Sequence, residues 1–149
     1  MKVKKLLRRL TSSITRAGAM VISKKGTNTS DSEICLMYAL DDGLPHSQRQ
    51  IADEWKLPRT TLNTIVKRWE KSGLLEMKKI AGKRREKEIC LTKKGIEKLK
   101  NTLAENYDAE NTALSLTIEK YSASFIDALE FYTDTLKKLQ EKSKEQKNN

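Results

Sequence analysis

The sequence is short of the residues that build reaction centres. It holds one histidine, His46, and two cysteines, Cys35 and Cys90, in 149 residues. One imidazole and two distant thiols do not make a zinc site. Two cysteines are too few for a disulfide scaffold, so reduced thiols packed as small apolar groups are expected. The glycine patterns of a dinucleotide fold, a P-loop or a nucleophile elbow do not occur. No enzyme activity, no metal and no cofactor are therefore expected. Long apolar runs are missing too. Nothing approaches the roughly 20 residues that span a bilayer. Near the N-terminus the longest apolar stretch is Ala19–Ile22, too short for a secretory signal. A cytoplasmic protein with no membrane partner is expected. Aromatic residues make up only 5%, against 37% hydrophobic residues in all, so the core should be modest and mostly aliphatic.

What the chain has in plenty is positive charge. The net charge is +10 and the pI near 9.6. That favours a polyanionic partner without choosing among DNA, RNA and an anionic membrane. The distribution is uneven. Residues 1–25 carry eight Lys/Arg and no acid, and residues 56–100 carry fifteen against five acids. The intervening 26–55 and the closing 101–149 are net acidic. The excess thus centres on one internal segment, with a second focus at the N-terminus.

That segment overlaps Ser47–Gly73, which reads as two short helices joined by a tight turn. Ser47 and Gln50 have capping-box spacing, and Ile51, Ala52 and Trp55 follow on one helical face. Lys56-Leu57-Pro58 makes the turn, with Pro58 suited to the start of a helix. The second helix is expected from about Arg59 to Ser72. Leu62, Ile65, Val66 and Trp69 form a strict apolar stripe. The opposite face carries Arg59, Thr60, Asn63, Thr64, Lys67, Arg68 and Lys71, with Glu70 at its edge, and Gly73 supplies a left-handed cap. A lone basic helix is usually just solvated. A short capped helix, a three-residue turn and a donor-rich second helix together describe the helix-turn-helix that reads DNA.

The flanking segments complete a pattern. Lys2–Ser23 is expected to be an amphipathic helix, striped by Val3, Leu6, Leu7, Leu10, Ile14, Ala17 and Val21; a partner helix suits it better than a membrane surface. Lys24–Ser32 reads as a loop, with Asp31 or Ser32 capping a short helix over Glu33–Leu40. Leu74–Thr92 changes to period two on either side of the basic tip Ile80–Glu86, which predicts a β-hairpin. A basic tip beside a recognition helix can reach phosphates or the minor groove. Thr92 should cap a long helical region over Lys93–Glu119. A break at Tyr121–Ser124 follows, capped by Ser122 or Ser124. Phe125, Leu129, Tyr132, Leu136 and Leu139 then recur at heptad-like steps that want a partner helix. Glu141–Asn149 is polar and expected to fray.

These residues resemble the MarR family of winged-helix regulators over nearly the whole chain. The most specific pieces are EKSGLL closing the second helix and ICLTKKG at the wing exit. The resemblance implies a two-fold dimer in which N- and C-terminal helices interlock, each subunit placing one recognition helix in a major groove. It also implies a wing arginine in the minor groove; the matching residue is Arg85, flanked by Arg84. Many members release DNA when a small aromatic ligand enters a cleft, which Tyr38, Trp55 and Tyr107 could line; the same aromatics also suit a core. Three departures stand out. Lys83 replaces the aspartate that often braces the wing arginine, Lys56 fills a turn position often held by glycine, and no cysteine lies near the first helix.

The expected fold is mainly α with a small β-hairpin wing. Residues 1–25 would be an N-terminal dimerisation helix, 31–93 the winged helix-turn-helix, 94–144 C-terminal dimerisation helices and 145–149 a frayed tail. The expected function is that of a homodimeric, sequence-specific regulator of transcription, in the first place a repressor, on a near-palindromic double-stranded operator. The expected DNA contacts are Arg59, Thr60, Thr61, Asn63, Thr64, Lys67, Arg68, Lys83, Arg84 and Arg85. Two alternatives remain open: a winged-helix module that binds protein, and nonspecific nucleic-acid binding by charge.

Overall fold

A computed structural model describes residues 2–22 and 28–148. The chain forms two compact units, residues 1–106 and 107–149. In chain order the elements are α1 (Lys2–Ile22), α2 (Asp31–Leu40), β1 (His46–Ser47), α3 (Gln48–Glu54), α4 (Arg59–Lys71), β2 (Leu75–Lys79), β3 (Lys87–Leu91), α5 (Lys93–Tyr121) and α6 (Ser124–Asn148). Part of the expected loop over Lys24–Ser32 lies outside the described residues.

The core of the first unit is where the apolar stripes meet. Ile34, Leu36, Met37 and Leu40 of α2, Ile51 of α3, and Leu62, Ile65, Val66 and Trp69 of α4 are buried against Leu75, Ile89, Leu99 and Leu103. Burying an aliphatic side chain of this size is worth about 1.5–3 kcal/mol, so this set fixes how α3 and α4 are held. The stripe expected on α4 is buried in full. Trp55 is only half-buried and stacks on Tyr38, ring centroids 6.4 Å apart.

The helix ends differ from expectation in instructive ways. The cap of α2 is Ser30, not Asp31 or Ser32. Its Oγ accepts from Glu33 N at 3.2 Å, and Glu33 Oε2 accepts from Ser30 N at 3.0 Å, a complete capping box. At α3 only half of the expected box forms. Ser47 Oγ accepts from Gln50 N at 3.0 Å, while the Gln50 side chain runs forward to Glu54. Both helices of the pair end with a left-handed residue. Lys56 has φ 51°, and Leu57 N donates to Ala52 O at 3.0 Å. Gly73 has φ 74°, with Gly73 N donating to Glu70 O and Leu74 N to Trp69 O. The two bonds make a Schellman closure, and its apolar contact is supplied by buried Leu74 and Trp69.

The wing is an antiparallel hairpin in which Leu75 faces Leu91 and Met77 faces Ile89. The sheet order is β1-β3-β2, so β3 is central. The short strand β1, where His46 pairs with Ile89, has no counterpart among the sequence expectations, because two residues are too few to carry a period. Gly82 has φ 78° within the turn Ile80–Lys83, closed by Lys83 N donating to Ile80 O at 3.2 Å.

Thr92 caps α5 as expected. Its Oγ1 accepts from Gly95 N at 3.1 Å and donates to Gly73 O at 2.6 Å, so one hydroxyl joins the start of α5 to the end of α4. Lys94 Nζ also donates to Ser72 O at 2.9 Å, a cation at the negative end of α4. α1 is exposed along most of its length, with Val21 and Ile22 half-buried and Asn106 Nδ2 donating to Val21 O at 3.0 Å.

The second unit holds the end of α5 and all of α6. Ser122, at φ 65°, makes the expected break. Ser124 is the first residue of α6 and not a cap before it; its N–H donates to Ser122 Oγ at 3.2 Å. Phe125 and Tyr132 are half-buried, whereas Leu129, Leu136 and Leu139 are exposed. The tail expected to fray from Glu141 is helical to Asn148. Its Glu and Lys residues are good helix formers, which the polarity of the segment masks.

Candidate nucleic-acid interface

Burying Leu62, Ile65, Val66 and Trp69 turns the opposite face of α4 outward. Arg59, Thr60, Asn63, Thr64 and Lys67 are exposed there, and Thr61 is half-buried on the flank. Helical spacing decides this, since residues three and four apart share a face. The Thr64 hydroxyl donates to Thr60 O at 3.0 Å, which leaves its oxygen outward as an acceptor.

The expected cations are not equivalent. Arg59 and Lys67 have no ion pair among the described residues, and neither do Arg84 and Arg85 at the wing tip. Arg68 is drawn back to Glu33 of α2, whose Oε1 also accepts from Trp69 Nε1 at 3.2 Å. This carboxylate is 12% exposed and touches Ser30, Arg68 and Trp69, joining the start of α2 to the rear of α4. Burial pushes its pKa up, but the Ser30 amide, the Trp69 N–H and Arg68 outweigh that and hold it below the ordinary value. Lys83 pairs with Glu86 at 3.1 Å. This pair lies within the wing and does not include Arg85.

Two residues absent from the sequence expectations stand at this surface. Gln48 and Arg49 open α3 and line a notch with Arg85, Glu86 and Lys87 of the wing. They also line a second notch with Arg59 and Leu62 of α4. Gln48 Nε2 donates to Asn63 Oδ1 at 3.4 Å. The available signal was the helix start itself, since the first residues of α3 lie at the side where the turn delivers α4. The wing adds one more mark. Lys79 and Lys87 are directly opposed in the hairpin register. Like charges at such a pair are destabilising by themselves and are relieved by an anion.

The remaining titratable groups lie off this surface. The imidazole of His46 bonds Asp42 at 2.8 Å, and the Leu44 amide and His46 hold the Asp42 carboxyl below its usual range. Cys35 is buried, and burial pushes its thiol up. Cys90, expected to be buried, is half-buried on β3.

A short helix, a tight turn and a donor-faced second helix, followed by a hairpin with a cationic tip, define a winged helix-turn-helix protein. The MarR family model matches residues 27–86, and over that segment the chain is similar to the MarR family. Three solved structures extend the likeness along the chain. NMB1585, a MarR family regulator from Neisseria meningitidis, is 18% identical with TM-score 0.69, covering 96% of each chain. MepR of S. aureus, in its DNA-binding conformation, is 18% identical with TM-score 0.68, covering 89% of this chain and 98% of its own. A MarR-family transcriptional regulator from Listeria monocytogenes, complexed with 26mer DNA, is 25% identical with TM-score 0.56, covering 90% of this chain and 86% of its own. No curated protein sequence matches the chain.

Proposed function

We propose that the protein is a homodimeric repressor of transcription that binds double-stranded DNA sequence-specifically, with α4 in the major groove and the wing tip at the flanking backbone or minor groove. One observation carries the reading: the exposed face of α4 at Arg59, Thr60, Asn63, Thr64 and Lys67 offers donors and cations without a carboxylate among them. Amides and hydroxyls at that place suit base edges, and the cations suit phosphates. The complex of the Listeria protein with DNA supports the same use of the shared fold. A protein-binding winged helix would present an apolar or acidic face instead.

Dimerisation is supported by apolar surface that a single chain leaves uncovered. Leu6, Leu7 and Ile14 are exposed on α1, as are Leu129, Leu136 and Leu139 on α6. Contiguous apolar faces of this kind mark association surfaces, and a two-fold pair is the economical solution. Two recognition helices so related fit a near-palindromic operator with half-sites about 34–36 Å apart. Release by a small aromatic effector stays part of the proposal; Tyr38 and Trp55, two of the aromatics named for its cleft, stack on each other with ring centroids 6.4 Å apart.

Selection of bound duplexes from a random pool tests the reading. A palindromic motif is expected. Retention of unrelated duplexes at equal strength would instead favour nonspecific binding by charge.

A further inference from the structure

The bond between the start of α3 and the outward face of α4 bears on how a base is read. Gln48, the first residue of α3, is half-buried beside the wing, and its Nε2 donates to Asn63 Oδ1 at 3.4 Å. Asn63 itself is exposed. An asparagine carboxamide has one acceptor oxygen and one nitrogen with two donors, and its terminal torsion is broad and roughly two-fold. Left alone, such a group turns over and offers a base either edge. The N–H from Gln48 biases that choice through a long bond of 3.4 Å. It favours Oδ1 towards α3 with the Nδ2 donors turned away, while Oδ1 keeps a second lone pair. A carboxamide biased this way matches adenine, whose major-groove edge presents the N7 acceptor beside the N6–H donor.

We propose that Gln48 is a positioning residue for base recognition: by donating to Asn63 Oδ1 it biases the carboxamide towards the orientation that selects adenine at the base pair Asn63 meets. The inference rests on the reading of α4 as the groove-entering helix. Gln48 contributes to specificity through Asn63 and not through its own contact with a base.

The test compares wild type, Asn63→Ala, Gln48→Ala and Gln48→Glu by selection from a random duplex pool. Binding constants are then measured for the selected site and its single-base variants. Wild type is expected to prefer adenine at one position of each half-site by about 5- to 150-fold, the range of one bidentate pair. Asn63→Ala abolishes that preference and so identifies the position. Gln48→Ala reduces it by about 2- to 10-fold, the worth of one neutral hydrogen bond, and leaves other positions unchanged. Gln48→Glu can only accept, so it draws Nδ2 inward, turns Oδ1 outward and moves the preference away from adenine. A purely structural Gln48 would weaken every duplex alike, and that result overturns the proposal. If wild type selects no motif, the DNA reading falls and this inference with it. If it selects a motif whose Asn63-dependent position is unmoved by either Gln48 variant, only this inference falls.

Discussion

Gly95 is the position where one added methyl group should do most harm. It is buried in the first turn of α5, and its N–H donates to the Thr92 cap. A Cβ built there overlaps the carbonyl oxygen of Leu74 and stands 3.2 Å from Leu91 Cδ2. The Leu74 carbonyl cannot simply retreat. It accepts from Thr92 N at 3.1 Å, and Leu74 N closes the end of α4 through Trp69 O. Gly95→Ala should therefore cost about 1–3 kcal/mol by overpacking. Loss of the Thr92–Leu74 bond adds about 0.5–1.5 kcal/mol. The helix preference of alanine returns at most about 1 kcal/mol. A net loss of about 0.5–3.5 kcal/mol follows, read as a lower urea midpoint at unchanged slope. Gly18 is the control. It lies in α1 with nothing of its own chain within 4 Å of an added Cβ, so Gly18→Ala should stabilise the single chain by about 0.5–1 kcal/mol. Gly95→Ala as stable as wild type, or more so, would refute the packing argument.

Lys56 holds φ 51° at the turn between α3 and α4. Lys56→Gly should relieve about 1 kcal/mol of left-handed strain, less the entropy glycine adds to the unfolded chain, so the urea midpoint should rise or hold; a clear fall would deny the strain. Because the Glu33 carboxyl is held below its ordinary value, its contribution is present above the unfolded pKa near ~4.3 and is lost as pH falls through the lower folded value. Glu33→Gln should cost about 1–3 kcal/mol at neutral pH and progressively less on acidification, and a gap that stays constant in acid would contradict this. Native-state thiol labelling should modify half-buried Cys90 well before buried Cys35, whose thiol burial pushes up; simultaneous reaction would mean the α2 packing opens easily.

The elements with a strong period were legible and the joints between them were not. The stripe Leu62, Ile65, Val66, Trp69 fixes both the helix and its buried face, and the alternation around Ile89 fixes the wing. Ser30 escaped because capping is settled by which hydroxyl the first turn reaches, and neighbouring Asp31 and Ser32 have the same local chemistry. Gln50 failed to complete its box because Glu54, one turn on, offered a charged acceptor. Within the candidate site the outward face of α4 followed from helical spacing alone. The notch residues Gln48 and Arg49 did not, because they reach the surface only through the packing of α3 on α4. Nor did the tie from Arg68 to Glu33, which spans distant sequence positions.

That tie changes the electrostatics of binding more than the composition suggests. Residues 56–100 carry fifteen Lys/Arg. Arg68 is held by Glu33, Lys83 by Glu86, and Lys94 caps the end of α4. Among the outward cations, Arg49, Arg59, Lys67, Arg84 and Arg85 stand at the start of α3, on the α4 face and at the wing tip, and Lys71, Lys79 and Lys87 are exposed beside them. If the first five each meet one phosphate, a two-fold pair neutralises about ten, and log Kobs against log salt should fall with a slope of about −9. Arg84→Ala on both subunits should make it shallower by about 2, weakening all duplexes alike, since each lost phosphate contact is worth about one unit of slope. Arg68→Ala should leave the slope nearly unchanged and lower stability instead. A slope approaching twice the expected value would mean that the paired cations, or the basic α1, also reach DNA. A flat dependence would remove phosphate contact altogether and with it the assignment of this surface.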